Sequence, residues 1–139
     1  MPKKNYKTPK IDAKNFVNTG SEILLKKARK LMYDIAVDCS VEGQRRAPFL
    51  EGHLTRSGGV VDYEGKPISR MEGNKIFVAF GGNESQPYAL RWHENDFELG
   101  EGSEAKQAAE GVKVGKGYMV RGYHENEARY QQIIRSQKA

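Results

Sequence analysis

The stretch "RAPFLEGHLTRSGGV", residues 46–60, decides how this chain is read. An apolar repeat of helical period runs into it, and strand-forming residues come out of it. Pro48 disfavours helical geometry for Ala47, so a helix arriving from the N-terminal side stops here. Glu51-Gly52 can turn the chain, and Leu54 is then available as an apolar anchor. Ser57 leads through two glycines into Val60, Val61 and Tyr63, residue types that favour a strand. Arg56 is placed to face solvent or to touch a neighbour. One short segment therefore joins a long helix to a sheet.

Upstream lies "TGSEILLKKARKLMYDIAVDCSVEGQRR", residues 19–46. Thr19 and Glu22 have the spacing of a capping box. Leu24, Ala28, Leu31, Ile35 and Cys39 recur every three or four residues, and Ile23, Leu25, Met32 and Ala36 widen the stripe. Lys26, Lys27, Arg29, Lys30, Asp34 and Asp38 lie mostly off it. The spacing predicts an amphipathic helix over about 20–45, roughly 39 Å long. Arg45 and Arg46 suit its C-terminal end, where the helix dipole favours cations. Gly43 is expected to weaken the last turn.

Downstream, "KPISRMEGN" (66–74) reads as a hairpin-type connection, and "KIFVAFG" (75–81) as the clearest strand, half-buried on both faces. "PYALRWHEN" (87–95) reads as a short helical or irregular element with Trp92 packed on the sheet. Residues 95–117 are polar and Gly-rich, which predicts a long loop with room for a helical turn at "SEAKQAAEG". From about Glu125 a last helix is expected, with Ala128, Ile133 and Ile134 as its apolar contacts and Tyr130 nearby. Residues 1–18 carry Lys3, Lys4, Lys7, Lys10 and Lys14 with little apolar content, and read as an extended basic arm that orders against a partner. The expected layout is α+β: an arm over 1–18, then one domain over 19–139 with a long N-terminal helix on a small antiparallel sheet and a C-terminal helix.

Composition narrows the function. Of 139 residues, 37% are hydrophobic and 29% charged, a polar balance that suits a modest core completed by association. Net charge is +5. Residues 1–46 hold 11 Lys/Arg against 5 Asp/Glu, and residues 47–139 hold 12 against 13, so the basic excess is N-terminal. Such an excess can meet nucleic acid or an acidic protein surface, or simply be solvated. Cys39 is the one cysteine; its place on the apolar stripe points to packing, and a cytosolic origin fits. No apolar run reaches membrane-spanning length, and the basic N-terminus lacks the apolar stretch of a signal peptide.

Catalytic patterns are sparse. His-Glu-Asn occurs at 93–95 and again at 124–126, and two such copies could ligate zinc if they met in space, but neither has the two-His spacing of a zincin helix. Ser57 lacks a nucleophile-elbow setting, and no phosphate-loop spacing accompanies the glycines near residues 100 and 115. The chain is read as no enzyme, with no metal and no cofactor. The basic arm, with Tyr6 and Phe16 interleaved, has no helix-turn-helix, zinc-finger or RNA-recognition signature beside it, which leaves non-specific phosphate contact.

The order of elements carries a resemblance. A long helix ends at Pro48; Glu51, Gly52, Leu54 and Arg56-Ser57 follow in the form Pro-x-x-[Asp/Glu]-Gly-x-Leu-x-x-Ser; after a strand pair come Pro87, Tyr88, Ala89, His93 and Glu94. Over about residues 20–135 this resembles the neck or tail-completion proteins of long-tailed bacteriophages, a group of minor capsid and tail-component proteins. The turn departs from the family's usual Asp-Thr-Gly, having Leu-Glu-Gly, and the basic arm falls outside the pattern. The resemblance implies a virion structural protein of the head–tail junction, assembled in the host cytoplasm. It implies a homo-oligomeric ring, hexamer or dodecamer, around the DNA channel. Its neighbours would be connector, stopper or tail-terminator proteins, with genomic DNA possible in the channel and no membrane. On that reading the arm lysines contact an acidic partner or DNA, the Pro48–Ser57 turn fixes the helix against the sheet, and the 95–117 loop reaches a neighbouring ring or lines the lumen. Tyr88 and Trp92, beside His93 and Glu94, are core or interface anchors sooner than ligand binders. The alternative is a small basic nucleic-acid-binding protein.

Overall fold

A computed structural model describes residues 22–136. The five arm lysines and the Thr19 half of the capping box lie outside the described residues. The chain forms helix α1 (Glu22–Arg46), a short helix α2 (His53–Arg56), strands β1 (Gly59–Val61) and β2 (Phe77–Ala79), then helices α3 (Ala89–Glu94), α4 (Glu101–Glu110), α5 (Tyr118–His124) and α6 (Glu127–Ser136). This is an α+β fold in which the long helix packs on a two-stranded antiparallel sheet.

The apolar stripe of α1 forms the floor of the core. Ala28, Met32, Ile35, Ala36 and Cys39 are buried, whereas Leu24, expected on the stripe, is 40% exposed. Above them sit Val60 and Val78, which are paired across the sheet, with Met71, Ile76 and Tyr130. The regular strands are only three residues long, with Gly59 opposite Ala79 and Val61 opposite Phe77. The connection between them is held by Asp62, whose side chain accepts the N–H groups of Glu64 and Lys66. A second, smaller cluster gathers Ala47, Leu54, Ala89 and Tyr118 beyond the C-terminal end of α1. Phe80 and Met119 pack against both clusters and join them.

Three expectations need correction. The polar segment 95–117 contains a ten-residue helix, α4. It was unreadable because it has no apolar stripe; polar bonds hold it in place. The last helix expected from about Glu125 is α6, but an unexpected helix, α5, precedes it; the two are separated at Glu125-Asn126, where the Asn126 side chain donates to the Gly122 carbonyl. On α6, Ala128 is exposed, and Tyr130 is the fully buried contact.

Gly43 also differs from expectation. It does not merely weaken a turn: it lets α5 cross α1 at backbone contact. A Cβ placed on Gly122 would lie 2.7 Å from the Gly43 nitrogen. Small residues at a crossing allow such close approach, and here they put the C-terminal pair of helices directly on the long one.

Candidate functional site

The residues that carry the sequence pattern meet at one joint. Pro48 is buried and ends α1. Gly52 has φ +85°, the left-handed region that favours glycine, and a Cβ there would lie 2.5 Å from the Arg56 guanidinium. This lets the chain reverse into α2 and drives Leu54 into the second cluster at 2% exposure. Ser57 works in two directions. Its Oγ donates to the Leu54 carbonyl at 2.6 Å and accepts the Gly81 N–H at 2.9 Å. The turn is thereby tied to the far end of β2. Asn83 adds a second tie, donating to the His53 carbonyl at 2.7 Å. Glu51 and Arg56 are exposed; the Arg56 side chain donates to His53 Nδ1 at 3.1 Å.

The later half of the pattern closes on the same joint. Ala89 packs in the second cluster, and its carbonyl accepts the Tyr118 hydroxyl at 2.7 Å. Burial holds the Tyr118 phenol above its usual range, with the nearby Glu94 charge adding to this. The His93 ring stands edge-on to Tyr118 at 4.8 Å. Its Nδ1 donates to Glu94 at 2.6 Å, and its Nε2 accepts the Val120 N–H at 3.3 Å. Both ring nitrogens are therefore engaged, and no nitrogen of His93 points at an open ligand position. Tyr88, Trp92 and Phe97 lie in a row with their rings tilted against each other, centroids 4.9 and 5.7 Å apart. Trp92 thus packs against the second cluster and these two rings, not on the paired strands as expected.

The repeated His-Glu-Asn triplets do not combine. His124 is exposed on α5 and faces Glu127 at 3.5 Å. Among the described residues no group of three His, Cys, Asp or Glu side chains could hold a metal ion. Cys39 is buried, and burial pushes its thiol up to about 12, with Asp38 and Glu42 acting the same way against a Tyr130 hydrogen bond. Such a thiol is inert.

Sequence reasoning missed two polar clusters. The first surrounds Arg46, whose side chain is 4% exposed. Its Nη1 donates to the Glu42 carboxylate at 2.7 Å and its Nε to Glu125 at 2.9 Å. Burial alone would raise the Glu125 carboxyl, but Arg46 and Arg121 outweigh it and hold it below the usual value. Arg45 reaches from Glu42 to Glu110 of α4. Glu42, four residues before Arg46, was the only sequence signal of this network.

The second cluster is Lys106. Its ammonium donates to the Gln44 and Ala47 carbonyls, at 2.5 and 2.6 Å, and to the Thr55 hydroxyl at 2.8 Å. It occupies the C-terminal end of α1, where open carbonyls and the helix dipole favour a cation. Burial pulls it down to about 8, partly opposed by Glu110. Ser103 docks the same helix by accepting the Phe49 N–H at 2.8 Å. Nothing in the sequence marks Lys106, since its acceptors lie more than fifty residues away.

Comparison with protein-family models, with curated proteins and with solved structures gives no match. No helix among the described residues is long and apolar enough to cross a membrane.

Proposed function

We propose that this chain is a structural protein of the phage head–tail junction, of the neck or tail-completion type, which assembles as a ring around the DNA channel and joins head to tail. The supporting observation is the convergence of residues from two separate stretches of the pattern on one joint. Ser57 binds the Gly81 backbone, a Cβ on Gly81 would lie 2.9 Å from Ala89, and Ala89 holds Tyr118. The pattern's residues are structural here: they set the angle between helix, sheet and α3, and their polar groups are satisfied within the chain. A joint of fixed shape is what an assembly protein requires, because neighbouring copies must meet at a reproducible angle. Exposed apolar side chains near the joint, Leu50 at 74% and Leu90 at 65%, offer contact area for neighbours.

A second reading keeps one observation of its own. Lys26 and Lys27 are exposed, follow the arm lysines in sequence, and make no ion pair with residues 24–136. That suits a nucleic-acid-binding protein that neutralises phosphates. Light scattering and negative-stain microscopy of the purified chain, with and without duplex DNA, separate the two. Discrete rings are expected. A monomer that binds DNA and releases it steeply with salt would replace the assembly reading with the second one.

A further inference from the structure

Two surface features of opposite charge lie apart on the described part of the molecule. Between the first half of α1 and residues 69–72 runs a groove of about 700 Å³. Its rim carries Lys26, Arg29, Lys30 and Arg70, and Tyr33 and Met71 line it with apolar surface. Lys30 is paired with Asp34 and Arg70 with Glu72, but all four side chains are more than half exposed, and such pairs are weak and exchangeable. Lys26 and Arg29 form no ion pair with a carboxylate of residues 24–136; Arg29 donates to the Gly73 carbonyl.

An acidic segment lies toward the other end of α1, with only its Asp96 paired to a lysine, Lys116, at 3.6 Å. "ENDFELGEGSE", residues 94–104, holds five carboxylates and no Lys or Arg. Glu98, Glu101 and Glu104 are exposed and make no ion pair or side-chain hydrogen bond with described residues. Glu101 and Glu104 suit the first turn of α4, but Glu98 precedes the helix, so the helix dipole does not account for it. Phe97, 37% exposed, stands between Asp96 and Glu98. The segment therefore offers an aromatic ring flanked by acids, and the groove offers an apolar floor flanked by bases.

The two cannot meet within one chain. Lys106 pins α4 to the carbonyls of Gln44 and Ala47, at least fourteen residues along α1 from Lys30, which is roughly 21 Å of helix. We propose that the groove of one copy receives the acidic 94–104 segment of a second copy of this chain. The carboxylates Asp34 and Glu72 in the groove wall favour this occupant over a phosphate backbone, because they repel a continuous line of negative charge while tolerating a segment whose acids alternate with apolar residues. The contact is heterologous: each copy presents a groove at one end and an acidic segment at the other, so contacts repeat head to tail and close when the rotation allows. The inference rests on the assembly reading above for the closed ring.

Two neutralised variants of the full chain test it: Lys26→Gln/Arg29→Gln in the groove and Glu98→Gln/Glu101→Gln/Glu104→Gln in the segment. Sedimentation at about 50 mM salt should show wild-type association and at least a tenfold weakening in each variant alone, as expected for screened charge contacts. An equimolar mixture retains one intact groove and one intact segment per pair, so it should stop at a one-to-one heterodimer. Assembly of both variants like wild type overturns the inference and leaves the ring reading standing, with its contact elsewhere. Loss of duplex-DNA affinity in the groove variant with unchanged self-association also overturns it, and assigns the groove to nucleic acid. If wild type and mixture stay monomeric, both this inference and the assembly reading fail. If circular dichroism shows a variant unfolded, a wild-type salt series decides: association as strong at about 500 mM as at about 50 mM overturns the inference.

Discussion

Two buried residues pull the pH dependence of stability in opposite directions. The Cys39 thiol is pushed up to about 12 by burial, against an ordinary value of 9.0. Between those values the folded chain holds a proton that the unfolded chain has lost, so stability falls as pH rises. Lys106 is pulled down to about 8 from 10.5, also by burial. Between those values the unfolded chain holds the extra proton, so stability rises with pH. Each slope is at most about 1.4 kcal/mol per pH unit, and between pH 9 and 10 they offset each other. In urea titrations from about pH 8 to 10, the stability of Cys39→Ala relative to wild type should therefore rise with pH, and that of Lys106→Met should fall. Parallel profiles for the two variants would refute both assignments. The two residues also differ in legibility. The position of Cys39 on a helical stripe announced its burial in the sequence. The environment of Lys106 did not, because the Gln44 and Ala47 carbonyls that bind it belong to a helix end about sixty residues away.

At the scale of elements, what could be read was whatever apolar periodicity expresses. The helix predicted over about 20–45 is Glu22–Arg46, and the two strands fall inside their predicted stretches. Helix α4 was read as a loop with room for a helical turn because its exposed face is Glu and Ala, and its anchors are Ser103, Lys106 and the Arg45–Glu110 pair. Such a helix depends on those bonds. Ser103→Ala/Lys106→Met should speed amide exchange across residues 101–110 by an order of magnitude or more while Ile35 and Val78 in the main core stay protected. The crossing of α1 and α5 was equally hidden, because a glycine in a helix reads as weakness. Alanine raises helix propensity by about 1 kcal/mol over glycine. At Gly122 that gain meets a backbone that cannot yield, since the new Cβ would lie 2.7 Å from the Gly43 nitrogen. Overpacking of this kind costs about 1–3 kcal/mol, so Gly122→Ala should lower the melting temperature. Gly43→Ala meets the edge of the Phe80 ring at 2.9 Å, a side chain and not a backbone, so it should lower the melting temperature less than Gly122→Ala does. Equal melting temperatures for the two variants would show that the crossing is not backbone-limited.

For the whole molecule, the question is how two apolar clusters behave as one cooperative unit. One lies between α1 and the sheet, the other around Leu54, Ala89 and Tyr118, and Phe80 and Met119 pack against both. Phe80 is the stiffer link. Its ring sits where a Cβ on Gly43 or Gly58 would strike it, at 2.9 and 2.6 Å, and it meets Tyr118 edge-on at 5.2 Å. The glycines thus form a slot that admits one aromatic ring from the end of β2. The joint that carries the sequence pattern belongs to the second cluster, so its stability reaches the main core largely through this ring. Phe80→Ala should cost about 3 kcal/mol, the lower end for a core phenylalanine, because the ring is only partly buried. Its more specific effect is on cooperativity. With the slot empty, the turn at Pro48–Ser57 and α3 should unfold before the α1–sheet core, and the van't Hoff enthalpy should drop below the calorimetric one. Near-ultraviolet circular dichroism, dominated by Trp92 and its neighbours, should then melt several degrees below the far-ultraviolet signal of α1. Coincident transitions in the Phe80→Ala variant would mean that the Gly43–Gly122 crossing and the Arg46–Glu125 pair suffice to couple the two halves.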